Sequence, residues 1–287
     1  MSQQCPHCLK FNCVKAGFFL RQEDHKRIQR FRCKECSRYF SKSTFTLEYR
    51  QKKRRPNYPL FKLLCSKITI RRAAMLLGLN KNTVMKKIVY LAAVAREKQQ
   101  QFLEHYPYQI DYIQFDDLIT KEQTKFKPLT VTIVIDADTR NILGMKVAQI
   151  PAFGLLAKKA IEKYGPRPSL QKEKAEELFA KIAPYIAKDV LIKTDEHKLY
   201  PEFIEKFFPQ AEHRTYKSDR AAVVGQGEMK RNSRDPLFAI NHTCAMLRDN
   251  ISRLLRRSWC LSQKASMLQH HLDIFTYFYN QIYLPSL

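Results

Sequence analysis

Two stretches decide the fold: Tyr112-Ile-Gln-Phe-Asp-Asp-Leu118 and Leu129-Thr-Val-Thr-Ile-Val-Ile135. The second is rich in β-branched residues and reads as a strand. The first reads as a strand with acidic residues at its end. Residues 142–150 read as a third strand, entered through a turn at 137–141. Three consecutive strands with tight connections predict an antiparallel meander. Working outward, residues 172–187 carry Ala175, Leu178, Phe179, Ile182 and Ile186 at helical spacing. Val190-Leu-Ile-Lys-Thr-Asp195 is a short buried strand ending in Asp. A helix over 201–208 and a strand over 211–216 follow. Residues 236–257 read as a long amphipathic helix, with Pro236 suited to its first turn after Asp235.

The order of three strands, helix, strand, helix, strand, helix is that of a ribonuclease H-like mixed sheet. In such a sheet the first and fourth strands are neighbours, so Asp116 and Asp195 come together at adjacent strand ends. Two close carboxylates repel unless a cation lies between them. Mg²⁺ (or Mn²⁺) binds through one or two carboxylates plus substrate phosphates. A metal pair can activate an attacking oxygen and stabilise the leaving oxygen of a phosphodiester. A third ligand is expected from the last helix. Asn241 is the position expected to face inward there, on one face with Ala245 and Arg248. Glu228 is the alternative third ligand: 32 residues separate it from Asp195, against 45 for Asn241. However, Gly225 and Gly227 place it in a loop. Asp117 should point to the opposite face of its strand. Asp136 and Asp138 are explained by turn formation, and His242 by a satisfied core position. Lys193, Lys198, Arg214, Lys217 and Arg220 would make a basic rim.

The chain has 287 residues and a formal net charge of +24. Residues 1–100 hold 24 Lys and Arg against 5 Asp and Glu; the remainder holds 27 against 22. So concentrated an excess points to a polyanion, with nucleic acid preferred over a membrane surface. No apolar run approaches the ~18 residues of a membrane helix, and Met-Ser-Gln-Gln-Cys-Pro-His-Cys at the start lacks a secretory signal's apolar stretch. An intracellular setting disfavours disulfides. Cys5-Pro-His-Cys8 and Cys33-Lys-Glu-Cys36, with 24 residues between the pairs, therefore read as a Zn²⁺ site. Strands at 17–20 and 28–32 around a polar turn give the pattern of a zinc ribbon over residues 1–49. Cys13 is a spare thiol, and Cys65 and Cys260 read as buried apolar side chains.

Residues 50–100 form a basic linker, Arg50-Gln-Lys-Lys-Arg-Arg-Pro56, and a helical region. After a short helix at 58–66, Ala73, Leu76 and Leu77 share a helical face. Gly78 suits a left-handed C′ position, and Asn80 or Asn82 can cap the next helix. The run Ala-Ala-x-x-Leu-Gly-Leu-Asn-x-x-Thr-Val is similar to a helix-turn-helix, with 81–96 as recognition helix. Lys81, Asn82, Thr83, Lys86 and Lys87 would then face the major groove or its phosphates.

Asn241-His-Thr-Cys-Ala-Met-Leu-Arg-Asp-Asn-Ile-Ser-Arg-Leu-Leu-Arg-Arg257, followed by Ser262-Gln-Lys264, resembles the C-terminal signature of bacterial insertion-sequence transposases of the DDE type. Phe115-Asp-Asp117, Lys193-Thr-Asp195, the ribbon and the helix-turn-helix match as well. The resemblance implies an α+β multidomain protein with a ribonuclease H-like catalytic domain over 101–287. It implies binding to terminal inverted repeats, metal-dependent cleavage, and joining of the 3′-hydroxyl to target DNA. Partners would be double-stranded DNA and further copies of the chain, at least a dimer, in the bacterial cytoplasm at the nucleoid. One departure is that the usual acidic third residue falls on Asn241, giving Asp-Asp-Asn. An amide oxygen can ligate Mg²⁺ but brings no charge. A DNA-binding regulator that has lost catalysis is the alternative expectation. A junction- or flap-cleaving nuclease on the same fold is a weaker third.

Overall fold

A computed structural model describes residues 3–22, 25–49, 51–217, 235–254 and 261–286. The chain divides into two compact units, Met1–Leu60 and Phe61–Leu287. The first unit carries an antiparallel sheet in the order β1 (Cys13–Arg21), β2 (Lys26–Cys33), β3 (Tyr39–Ser41). β1 and β2 are the two strands expected between the cysteine pairs. β3 is too short to leave a period-two signal in the sequence. Phe31 and Cys33 alternate with Arg30 and Arg32 along β2, so one face is buried and the other cationic. The buried apolar set is small: Cys5, Phe31, Cys33 and Phe40. Phe11, Phe18, Phe19 and Leu20 stay exposed.

Helix α1 (Asn57–Leu64) spans the boundary in sequence. The second unit adds α2 (Ile70–Leu76) and α3 (Lys81–Glu104). α3 runs past residue 96 because its apolar stripe continues. Val84, Ile88, Leu91, Ala92, Ala95 and Leu103 are all buried, and the helix packs along α8 (Ala265–Phe278). Arg96 and Asp273 pair at 2.5 Å. Gln99 Nε2 donates to the Ile142 carbonyl at 3.0 Å, and Asn280 Nδ2 donates to Gln99 Oε1 at 3.1 Å.

A five-stranded mixed sheet forms the centre of this unit. Its strands are β4 (Ile110–Lys121), β5 (Pro128–Asp136), β6 (Ile142–Gln149), β7 (Ile186–Thr194) and β8 (Glu212–Thr215), in the order β6-β5-β4-β7-β8. β4, β5 and β6 form the expected antiparallel meander; β7 lies parallel to β4, and β8 parallel to β7. The helices α4 (Ala157–Tyr164), α5 (Gln171–Ile182), α6 (Tyr200–Phe207) and α7 (Phe238–Asn250) complete the unit. Odd positions of β4 face α5 and α6. Phe115 packs 5.1 Å from Phe179 and 4.7 Å from Tyr200, centroid to centroid. Full burial of a side chain such as Phe179 contributes about 1.5–3 kcal/mol.

Several elements differ from the sequence reading, and α7 also ends early, at Asn250. β4 does not end at Asp116: Leu118 and Thr120 still pair with Val131 and Leu129 of β5, so the acidic pair lies within the strand. α5 stops at Ile182, ahead of Pro184, and β7 begins at Ile186. α7 begins at Phe238, because Asp235 Oδ1 accepts the Leu237 N–H at 3.0 Å and closes a turn around Pro236. In α2 the buried face is Ala73 and Ala74, while Leu76 is exposed. Among the described residues no helix is long and apolar enough to cross a membrane.

Candidate functional site

Each Cys-x-x-Cys knuckle turns its backbone N–H groups onto sulfur. The His7 N–H reaches Cys5 Sγ at 3.4 Å. The Cys36 N–H is the largest of the effects that bring the Cys33 thiol down to about 6. Cys5 and Cys36 sulfurs are 3.6 Å apart, Cys8 and Cys33 sulfurs 3.5 Å, and all four lie within 4.8 Å of one another. A tetrahedron with ~2.3 Å metal–sulfur bonds has edges of about 3.8 Å. The four sulfurs therefore fit structural zinc in charge, softness and spacing. Cys13 packs beside them but belongs outside the set, with its Sγ 3.9 Å from the Lys10 carbonyl. Burial first, and then Cys33, push its thiol up to about 11. His7 is exposed. Cys65 is buried, as expected; Cys260 lies outside the described residues.

Helices α2 and α3 are joined by a tight turn. Thr69 caps α2 by accepting the Arg72 N–H. Gly78 takes φ +59° just past the C-cap Leu77, the left-handed conformation that costs glycine least. Asn80, rather than Asn82, caps α3, its Oδ1 accepting the Asn82 N–H at 2.8 Å. Lys81, Asn82 and Lys86 are exposed and Thr83 is half-buried. Lys87 is a correction. It is only 4% exposed, because it falls on the same stripe as Val84, Ile88 and Leu91, and it offers no free surface to a groove.

The carboxylates lie on the face of the sheet opposite the aromatic core. In the parallel β4–β7 ladder Gln114 opposes Lys193. Two residues further on lie Asp116, still within β4, and Asp195, just past the end of β7. Asp116 accepts the Asp117 N–H at 2.7 Å, and Asp195 accepts the His197 N–H at 3.1 Å. Neither carboxylate receives a side-chain hydrogen bond among the described residues. Asp117, pointing the other way as expected, is saturated. It accepts from Thr130 and Thr132 hydroxyls (3.1 and 2.6 Å), Gln171 Nε2 (2.9 Å) and the Tyr200 hydroxyl (3.2 Å). Burial raises the Asp116 carboxyl above its ordinary value, and the Asp195 and Asp117 charges add to this; the Asp117 N–H and Arg248 pull it back.

Helix α7 is seated on this face by Gln114, whose Nε2 also donates to the Tyr112 hydroxyl at 2.6 Å. Nε2 donates to the Pro236 carbonyl at 3.0 Å, and Oε1 accepts the Ile240 N–H at 3.1 Å. Its signal in the sequence is a polar residue at i−2 from Asp116 within an apolar strand. The seating brings Cys244 and Arg248 into the field of Asp116. It leaves Asn241 solvent-exposed rather than buried. The buried positions of α7 are Ala239, Ile240, Thr243, Cys244 and Leu247; Asn241 is exposed, and its Nδ2 donates to Asp235 at 2.9 Å. Asn241 stands one turn before Cys244. Glu228 and Arg220 lie outside the described residues.

Of the basic rim, Lys193 Nζ sits 4.7 Å over the Tyr112 ring and Arg214 pairs with Glu212 at 2.5 Å; Lys198 and Lys217 are exposed. Asp136 anchors its turn through the Asp138 and Thr139 N–H groups and also accepts the Tyr106 hydroxyl at 2.6 Å. His242 differs from expectation: its Nδ1 is buried with no hydrogen-bond partner among the described residues. No protein-family model matches this chain, and no curated protein matches it.

Proposed function

We propose that this chain is a DNA transposase of the DDE type, carrying Asp-Asp-Asn. The ribbon and α2–α3 would grip transposon ends, and a ribonuclease H-like unit would cleave them and transfer the strand to target DNA. The observation that carries the reading is the carboxylate pair. Asp116 lies within β4 and Asp195 just past the end of the neighbouring parallel strand β7; both hold only local N–H groups, and the Asp195 charge adds to the rise of the Asp116 carboxyl. Hard oxygen ligands in mutual repulsion suit Mg²⁺ or Mn²⁺. Asn241 would add its Oδ1, which no donor occupies among the described residues. The strand order β6-β5-β4-β7-β8 supports the ribonuclease H-like assignment.

When bound, the divalent ions would lower the cost of charge on the attacking and leaving oxygens. The chain's own residues do the rest. Asp117, fixed by four donors, holds β4 in place behind Asp116. Gln114 sets the height of α7. Arg248 offers a guanidinium beside Asp116 for a phosphate oxygen. Water or a 3′-hydroxyl attacks phosphorus and gives its proton to solvent, while the P–O3′ bond breaks and the leaving O3′ oxygen takes a proton from solvent.

Incubation with Mg²⁺ and its element's terminal repeats should give nicked and joined ends. Asp195→Ala should abolish both while DNA binding persists; cleavage by that variant would refute the site. A second reading, a DNA-binding regulator without catalysis, is favoured by the exposed, neutral Asn241 bonded to Asp235. If the native chain is inert and Asn241→Glu creates cleavage, that reading stands. Cleavage without joined products would instead mark a nuclease.

A further inference from the structure

We infer that the exposed stripe of α3 reads A·T base pairs in duplex DNA through thymine methyl groups and an adenine edge. The inference rests on the proposal that α2–α3 grips DNA. The helix has two unlike faces. Val84, Lys87, Ile88 and Leu91 are buried against the body of the unit. Lys81, Asn82, Met85, Lys86 and Val89 form the opposite stripe, recurring at helical spacing, and all five are exposed. Met85 is 39% exposed and Val89 46%, although neither serves the core. Two uncommitted apolar side chains between two lysines fit neither of the simpler occupants. A phosphate-only contact has no use for Met and Val. A protein-docking face gains nothing from lysines and a polar amide at its centre.

The major groove supplies what this stripe lacks. Its walls are phosphates, which Lys81 and Lys86 can reach. On its floor, thymine shows a C5 methyl group and adenine shows an N7 acceptor beside an N6 donor. Asn82 uses its backbone N–H in the Asn80 cap. Its side-chain amide makes no hydrogen bond among the described residues, leaving carbonyl and amine free for the bidentate match to adenine. Met85 and Val89 follow along the same stripe, at the depth of the methyl groups. The partner is a polyanion, matching the basic excess of residues 1–100.

The test uses the full zinc-loaded chain. Duplexes are selected from a random pool at about 0.15 M salt, and affinities for the enriched sequence are measured by fluorescence anisotropy. Replacing each thymine by deoxyuridine removes only the methyl group. At one or two positions this should weaken binding about fourfold. Met85→Ala or Val89→Ala should erase that sensitivity, because the methyl has lost its partner. Asn82→Ala should relax an A·T preference of about tenfold at a neighbouring position. Enrichment of G·C-rich sequences, or deoxyuridine without effect on the native chain, would overturn the inference while leaving DNA binding intact. Failure to bind any duplex above background would instead overturn the grip itself, and the inference with it.

Discussion

The four sulfurs of the first unit, which fit a metal, and the two carboxylates of the second, which are proposed to hold one, are opposite in kind. The sulfur centre is closed: four ligands within 4.8 Å, knuckle N–H groups already aimed at them, and little else in the core. The carboxylate centre is open: Asp116 and Asp195 each keep most of their lone pairs, on a sheet that folds by apolar burial without them. The difference teaches where each unit gets its stability. The first has too small a core to stand alone and depends on its ligands. The second tolerates, at its centre, a carboxyl that burial and its neighbours hold above its ordinary range. Ligand removal should therefore act in opposite directions on the two.

The largest effect should come from Cys33→Ser. Structural Zn²⁺ in small domains is worth about 10–16 kcal/mol, so loss of one thiolate should release zinc and unfold residues 1–60, while the second unit keeps its melting transition. Metal analysis together with limited proteolysis reads both. Coupled loss of both units would break the comparison. Next is Asp117→Ala, which strands the hydroxyls of Thr130, Thr132 and Tyr200 and the Gln171 amide around a buried gap. It should cost at least about 3 kcal/mol by urea unfolding, since each buried donor left unpaired costs roughly 1–3 kcal/mol.

Asp116→Asn should go the other way. The folded carboxyl binds its proton more tightly than the unfolded one, so ionising it costs stability as pH rises. The variant should melt above the native chain at neutral pH in chelator-treated second unit, and the gain should vanish below about pH 3.9, where the unfolded group is also protonated. An unchanged or lower melting point at pH 7 would contradict the raised carboxyl. The smallest effect belongs to Cys13→Ala. If the sulfur set is closed at four, zinc content should not change and stability should move by no more than about 0.5 kcal/mol.

Both centres were legible in the sequence for a local reason. Cys5, Cys8, Cys33 and Cys36 announce themselves by knuckle spacing, and Asp116 and Asp195 by ending or interrupting apolar runs that pair as strands. The caps at Thr69, Asn80 and Gly78 follow from single residue types as well. What failed was rotation about a helix axis. The inward face of α7 depends on where the helix starts and what seats it. The start moved from Pro236 to Phe238, and Gln114, more than 120 residues away, fixes the seating. Asn241 is thereby left exposed, its amide on Asp235. Lys87 shows the converse: its spacing from Val84 and Leu91 placed it on the core stripe, and its charge disguised that. Acidic residues in an apolar run look like the end of a strand, yet in β4 the ladder with β5 runs through them.

The central claim is that Asp116 and Asp195 form one oxygen centre for divalent cations, separate from the sulfurs. Calorimetric titration of Mn²⁺ into the zinc-loaded chain tests it most directly. The account predicts binding that is lost in both Asp116→Asn and Asp195→Asn and unchanged in Cys13→Ala. Equal Mn²⁺ binding by the native chain and the two aspartate variants would contradict it.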